Sequence, residues 1–206
     1  MSARVAERMK GRLADALWDC LETRSLTEVS VGDVIDAAGV SRGSFYYHFS
    51  DLDHLVAWTL ARELLDSDRE GHSLVVLAAQ EDAPAESEAV SRSLRRVCLL
   101  LDRGGMSAVY GVVLDATLHL WQAALRPDGE ALPDEVVAQL EYAVGGIVGM
   151  LSRAGASTEA KRRASIEFVH EWHVWLAARV ADVLGEDPRD VMELLARARA
   201  RVLALS

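Results

Sequence analysis

The sequence predicts an all-α protein: a three-helix N-terminal unit containing a helix-turn-helix, joined to a larger helical body. Three observations predict it. Ala and Leu are the commonest of the 206 residues, Arg and Glu are frequent, and there are only four prolines; those four residue types favour helices. Apolar residues recur at three-and-four spacing through most of the chain, which is the signature of one buried helix face. At residues 30–51, SVGDVIDAAGVSRGSFYYHFSD, two short helical patterns meet at a glycine. The second pattern carries Arg42, Ser44, Tyr46, Tyr47 and His48 and is too short and too polar for a core helix.

The first helix is predicted over about 4–22. Val5, Met9, Leu13, Ala16, Leu17, Cys20 and Leu21 make its buried face. Arg4, Arg8 and Arg12 repeat every four residues and form a stripe on another face. That stripe serves as solvated surface or as a phosphate-contacting edge. Residues 23–28 read as a turn, with Leu26 plugging the core. Ser30, followed by Asp33 three residues on, predicts a capping box with Asp in place of Glu. Val31, Val34, Ile35 and Ala38 then line the second helix. Gly39 follows the last periodic residue, where a left-handed conformation ends the helix. Ser41 is a good N-cap for the third helix, whose inward residues are Phe45 and Phe49.

Asp51 is placed to cap a fourth helix, with Leu55, Val56, Leu60 and Leu64 on its buried face and an end at Asp66 or beyond. Gly71 interrupts, a short apolar segment covers 74–79, and the acidic run 81–88 with Pro84 reads as a surface loop. Helical pattern returns over 88–102, breaks at Gly104-Gly105, and resumes over 106–125. Residues 126–129 end it. Pro133 opens a helix reaching about Ala154, in which Gly145, Gly146 and Gly149 each lower intrinsic stability by about 1 kcal/mol. Ser157 or Thr158 caps a long helix to Leu184, with Gly185 as its stop. Pro188 opens the last helix, to about Leu203, with Val191, Leu194, Leu195, Ala198 and Val202 on one face.

Two helices joined by a glycine turn place the N-terminal part of the second helix in the major groove of DNA. Arg42 suits guanine O6 and N7 or a phosphate, and Gly43 lets the backbone come close. Ser44, Tyr46, Tyr47 and His48 supply phosphate donors and flat faces for thymine methyls. Ser30, Arg4 and Arg8 complete the candidate DNA-contacting set. Charge works against indiscriminate binding. The net charge is −10, and residues 1–50 hold six basic against seven acidic side chains.

The run AAGVSRGSFYYHFSD, with Leu26 and the Ser30–Asp33–Val34 stretch before it, resembles the N-terminal domain of the tetracycline-repressor (TetR) family. Gly39, Val40, Ser41, Arg42, Ser44, Phe45, Tyr46, Tyr47, His48 and Phe49 fill that family's pattern in order. There are two departures. Ile35 stands where the family commonly has a small Ala, implying a wider helix crossing. Leu52 stands where the family usually has a phosphate-gripping lysine, implying one phosphate contact fewer and a salt slope smaller by about one.

The resemblance implies residues 1–50 as a DNA-binding domain and 51–206 as a helical ligand-binding and dimerisation domain. It implies a double-stranded DNA operator, a small-molecule effector and a homodimer as partners, with the last two long helices pairing across a two-fold axis. Phe168, Trp172, Trp175, Leu176 and Val180 lie at helical spacing for core or interface. Trp58, Tyr110, His119, Trp121, Tyr142 and Met150 combine apolar bulk with polar tips and are the candidate pocket, although a packed core uses the same residue types.

Other classes find no support. No glycine-rich phosphate loop follows a strand, and no serine or cysteine has a neighbour marking it as an activated nucleophile, so no enzyme is expected. Cys20 and Cys98 fall among apolar helix positions and read as buried reduced thiols, as expected of a cytoplasmic protein. Glu167, His170, Glu171 and His173 share a helix but read as surface hydrogen-bonding partners, and no metal or other cofactor is expected. The most apolar stretch, 108–125, is broken by Asp115, His119 and Gln122, so no membrane span is expected. The alternative function is a protein-interaction adaptor of the same fold that has lost DNA binding. Leu52 and the near-neutral head favour it; Arg42, Tyr46, Tyr47 and His48 oppose it.

Overall fold

The computed structural model describes residues 3–65, 88–154 and 159–205. Every regular element among them is helical: α1 (Ala3–Thr23), a 3-10 turn (Leu26–Glu28), α2 (Val31–Ala38), α3 (Arg42–His48), α4 (Leu52–Leu65), α5 (Glu88–Asp102), α6 (Met106–Leu125), α7 (Asp134–Ala154), α8 (Glu159–Leu184) and α9 (Pro188–Leu205). The expected apolar segment 74–79, most of the acidic loop and the proposed caps Ser157 and Thr158 lie outside the described residues.

Helix α1 is the head's main support. Leu13, Leu17 and Leu21 are fully buried, and Ala16 and Cys20 flank them, as the periodicity requires. Val5 is a correction: it is about half exposed. The buried run of α1 starts only at Gly11, so the first two turns project past the helices that would cover Val5. Helices α2 and α3 pack on α1 and on each other, with Val34 and Phe45 at zero exposure and Phe49 at 1%. Burying one phenylalanine contributes about 1.5–3 kcal/mol, a large share of what so small a unit can gather. Ile35 is buried among these residues rather than excluded by its size.

Two apolar clusters make up the interior. The first joins α1–α4 to α5, the start of α6 (Val109) and the end of α7 (Val144, Val148, Leu151). The second joins the end of α6 (Trp121, Ala124, Leu125) to the start of α7 (Val136, Leu140, Ala143) and to α8 and α9. Helices α6 and α7 therefore run antiparallel as two long spines, each with one end in either cluster. The first cluster carries the head on the body without a gap at residue 50.

The helix ends follow their local chemistry. At Gly104, φ is +92°; its N–H bonds to the Leu101 carbonyl, and the Gly105 N–H to Leu100 at 2.8 Å. A Cβ at Gly105 would collide with the Leu100 side chain and lie 3.0 Å from its carbonyl, so the tight α5–α6 turn requires glycine there. Gly185, with φ +69°, stops α8 in the same way, and the Pro133 carbonyl accepts the Val136 and Val137 N–H groups in the first turn of α7.

Candidate nucleic-acid interface

The reading unit is built on three capped ends. At the start of α2 the Ser30 hydroxyl accepts the Asp33 N–H at 3.2 Å and donates to Asp33 Oδ2 at 2.5 Å. The Ser30 N–H donates to that same oxygen at 2.8 Å. The predicted capping box is present, with Asp doing the work of Glu. Arg24 closes it by donating to Asp33 Oδ1 at 2.7 Å. The Ser30 hydroxyl, then Arg24, then the Ser30 N–H hold the Asp33 carboxyl well below the usual carboxylate range.

At the other end of α2, Gly39 has φ +62° and ψ 43°. Its N–H bonds to the Asp36 carbonyl and that of Val40 to Ile35, both at 3.2 Å, which is the Schellman pattern. Arg12 adds a cation there, donating from Nη2 to the Ala38 carbonyl at 2.6 Å. A positive group at a helix C-terminus is favourable, and this one ties the turn to α1. The third cap is Ser41, whose hydroxyl accepts the Ser44 N–H at 3.1 Å and lies 2.9 Å from the Ser44 hydroxyl.

With both ends of the turn fixed, α3 buries one edge and presents the other. Phe45 and Phe49 point inward, their ring centres 6.0 Å apart. Tyr46 is 51% exposed and sets its ring edge-on to Phe45 at 5.3 Å. Tyr47 is 72% exposed, edge-on to His48 at 4.9 Å. Arg42 and Gly43 are exposed; Ser44 and His48 are half-buried. Structure thus gathers Arg42, Gly43, Ser44, Tyr46, Tyr47 and His48 on one seven-residue helix, with Ser30 at the head of the neighbouring one. Ser30 has already given its hydroxyl hydrogen to Asp33. A phosphate, which only accepts, competes with that carboxylate for it.

The cationic stripe of α1 divides. Arg8 is exposed, Arg12 is committed to Ala38, and the Arg4 side chain lies outside the described residues. Sequence reasoning had no signal for the roles of Arg12 and Arg24, because their partners sit 26 and nine residues away on other elements. Leu52, where a lysine was expected by resemblance, is partly buried against the first cluster. Asp51 caps α4 as predicted, accepting the His54 N–H at 2.7 Å. That bond and the Ser50 hydroxyl lower its carboxyl pKa.

Residues 13–57 match the family described as bacterial regulatory proteins, tetR family. The N-terminal unit is a TetR-family head. The chain is accordingly a DNA-binding transcriptional regulator by that domain. The TetR match starts inside α1 and stops within α4, so it covers the head and not the body. No curated protein matches the chain.

The candidate pocket residues are dispersed. Trp58 packs its ring on Phe49 at 5.7 Å, and the Lys10 and Arg62 cations each lie 5.5 Å from its centre. Tyr110 is half-buried between α6 and α7, 3.8 Å from where a Gly145 Cβ would stand. Trp121 is buried in the second cluster. His119 and Tyr142 are exposed, His119 turned back to the Asp115 carbonyl at 2.8 Å, and Met150 is half-buried. The side chains of Glu167, His170 and His173 lie outside the described residues. Among the described residues, no helix is long and apolar enough to cross a membrane.

Proposed function

We propose that the protein is a ligand-responsive repressor acting as a homodimer on a palindromic operator in the cytoplasm. Residues 1–50 form the reading head, and 51–206 form the effector-binding and dimerisation body. The observation that carries this reading is the outward set of α3, Arg42 to His48, held on a helix whose start and preceding turn are both capped. Two such heads fit successive major grooves with half-site centres about 34 Å apart.

For dimerisation the supporting feature is α8, which leaves Phe168, Val174 and Trp175 exposed. Aromatic surface on a long helix is what a homodimer interface uses. A small, mostly apolar effector bound in the body releases DNA if it favours a head spacing that misfits the operator. Its leverage equals its differential affinity for the two states. The candidate effector-contacting residues remain Trp58, Tyr110, His119, Trp121, Tyr142 and Met150.

A mobility-shift titration on DNA flanking the gene tests the reading. Saturable, salt-sensitive binding is expected, and no shift at low salt rejects it. Arg42→Ala costs about 1–3 kcal/mol of operator affinity if Arg42 reads a base. An equal loss on random DNA reassigns it to a phosphate. The second reading, an adaptor without DNA binding, draws on Leu52, which puts an apolar side chain where a phosphate grip is expected. It predicts unshifted DNA with dimerisation intact.

A further inference from the structure

Helix α5 and the turn after it each send an arginine back to the head. The Arg96 guanidinium lies over the Trp18 ring, 5.4 Å from its centre, and 4.0 Å from Asp15 Oδ1. It also pairs with Glu63 of α4, which is 9% exposed and accepts the Ser93 hydroxyl at 3.2 Å. Seven residues on, Arg103 in the α5–α6 turn donates from Nη2 to the Glu22 carbonyl at 2.7 Å. The Arg103 carbonyl accepts the Leu26 N–H at 2.8 Å. Asp15 and Glu22 are themselves seven residues apart, about two helical turns. Helices α5 and α1 therefore lie side by side in the same direction, fastened at both ends of that span.

The second fastening is next to the reading unit. Glu22 is in the last turn of α1, where carbonyls lack intrahelical partners and a cation is favoured. Leu26 opens the 3-10 turn, whose own box ties Ser25 to Glu28. Ser30 and the Arg24–Asp33 pair follow immediately, then α2, the Gly39 turn and α3. An unbroken series of caps and hydrogen bonds thus runs from Arg103 to the groove-facing helix. The turn is close-packed at Gly105, where a Cβ would meet Leu100.

We propose that Arg103 is a positioning residue for DNA reading. By holding the end of α1 and the start of the 3-10 turn, it sets the angle at which α2 and α3 enter the groove. A body movement that shifts α5 reaches the head by this route as well as through α4. The inference rests on the DNA-binding reading of the head.

The test compares the full-length wild type with Arg103→Ala and Arg103→Lys. Each is titrated on a DNA fragment selected by the wild type from genomic DNA, at several salt concentrations, with amide exchange followed at Leu26. Arg103→Ala is expected to bind roughly ten-fold more weakly, within the usual range of coupling between distant sites. The salt slope stays unchanged, because Arg103 does not touch phosphate, and the Leu26 amide exchanges faster. Arg103→Lys, which can still donate to Glu22, restores most of the affinity. Unchanged affinity of Arg103→Ala overturns the proposal while leaving the DNA reading intact. So does a salt slope smaller by about one, which makes Arg103 a phosphate contact. A loss confined to the active fraction, with the affinity of the folded molecules unaltered, overturns it as well. If the wild type selects no DNA, the reading itself fails, and the proposal with it.

Discussion

At the scale of single residues, the head relies on short polar side chains spent on backbone ends. Ser41 satisfies an amide that α3 otherwise leaves open. Ser41→Ala is expected to destabilise the protein by about 0.5–2 kcal/mol, read from the midpoint of urea unfolding. Asp33, Asp51 and Glu28 all have lowered carboxyl pKa values, chiefly through the Ser30 hydroxyl, the His54 amide and the Ser25 hydroxyl respectively. A carboxyl depressed in the folded state binds fewer protons there than in the unfolded chain, so its stabilisation is complete above the unfolded pKa, about 4. It is lost as pH falls from there through the folded values. Unfolding midpoints should therefore hold from pH 7 to about 5 and decline modestly below 4, since these carboxyls are solvent-exposed and screened. Asp33→Asn should flatten that drop, and an unaltered acid slope would show that the box does not contribute.

At the scale of elements, the decisive piece is the α2–α3 turn. Gly39 sits in the left-handed region, and two amides close the turn around it. Gly39→Ala is expected to cost about 1–2 kcal/mol because a Cβ is disfavoured there. Gly39→Asn should cost less, since Asn tolerates that region. If the two variants unfold at the same denaturant concentration, backbone conformation is not what selects glycine here. The space beside Gly39 is open apart from Arg12, 3.7 Å from the Cβ position, so steric collision is a minor effect. Helix α3 itself is seven residues long, too short to persist alone. Its caps and the burial of Phe45 and Phe49 hold it.

At the scale of the whole molecule, the first cluster matters most. Its members run from Leu13 in α1 to Leu151 in α7, so the head is not an independent bead. Residues 1–50 alone would expose the apolar surface of α1 that packs on α4 and α5 in the full chain. The isolated segment is expected to lack the sharp thermal transition of the whole protein, measured by circular dichroism. A cooperative transition in the fragment would show that the head's own contacts suffice. If the proposed homodimer forms through α8, Trp175→Glu at its exposed face is expected to shift sedimentation from dimer to monomer while the helical signal is kept. An unchanged sedimentation profile would place the dimer contact elsewhere.

The order and kind of the helices were legible in the sequence because their causes are local. Ser30-x-x-Asp33, Gly39, Ser41 and Asp51 cap what they were expected to cap, and α6 and α7 begin and end within a residue of their predicted limits. The outward residues of α3 were legible for the same reason, since seven consecutive positions settle their faces among themselves. Val5 was not, because periodicity gives a helix face and says nothing of how far the covering helices reach. Nor were the partners of Arg12, Arg24, Arg96 and Arg103, which meet groups up to 81 residues away. Among the pocket candidates, Trp121 is buried while His119 and Tyr142 are exposed, a difference that residue type alone does not give. By itself the sequence determined the helices, their ends and the outward face of α3, because these depend on neighbours along the chain. Tertiary structure alone decided that head and body share a core and that arginines lock them together, because those contacts exist only once distant helices are side by side.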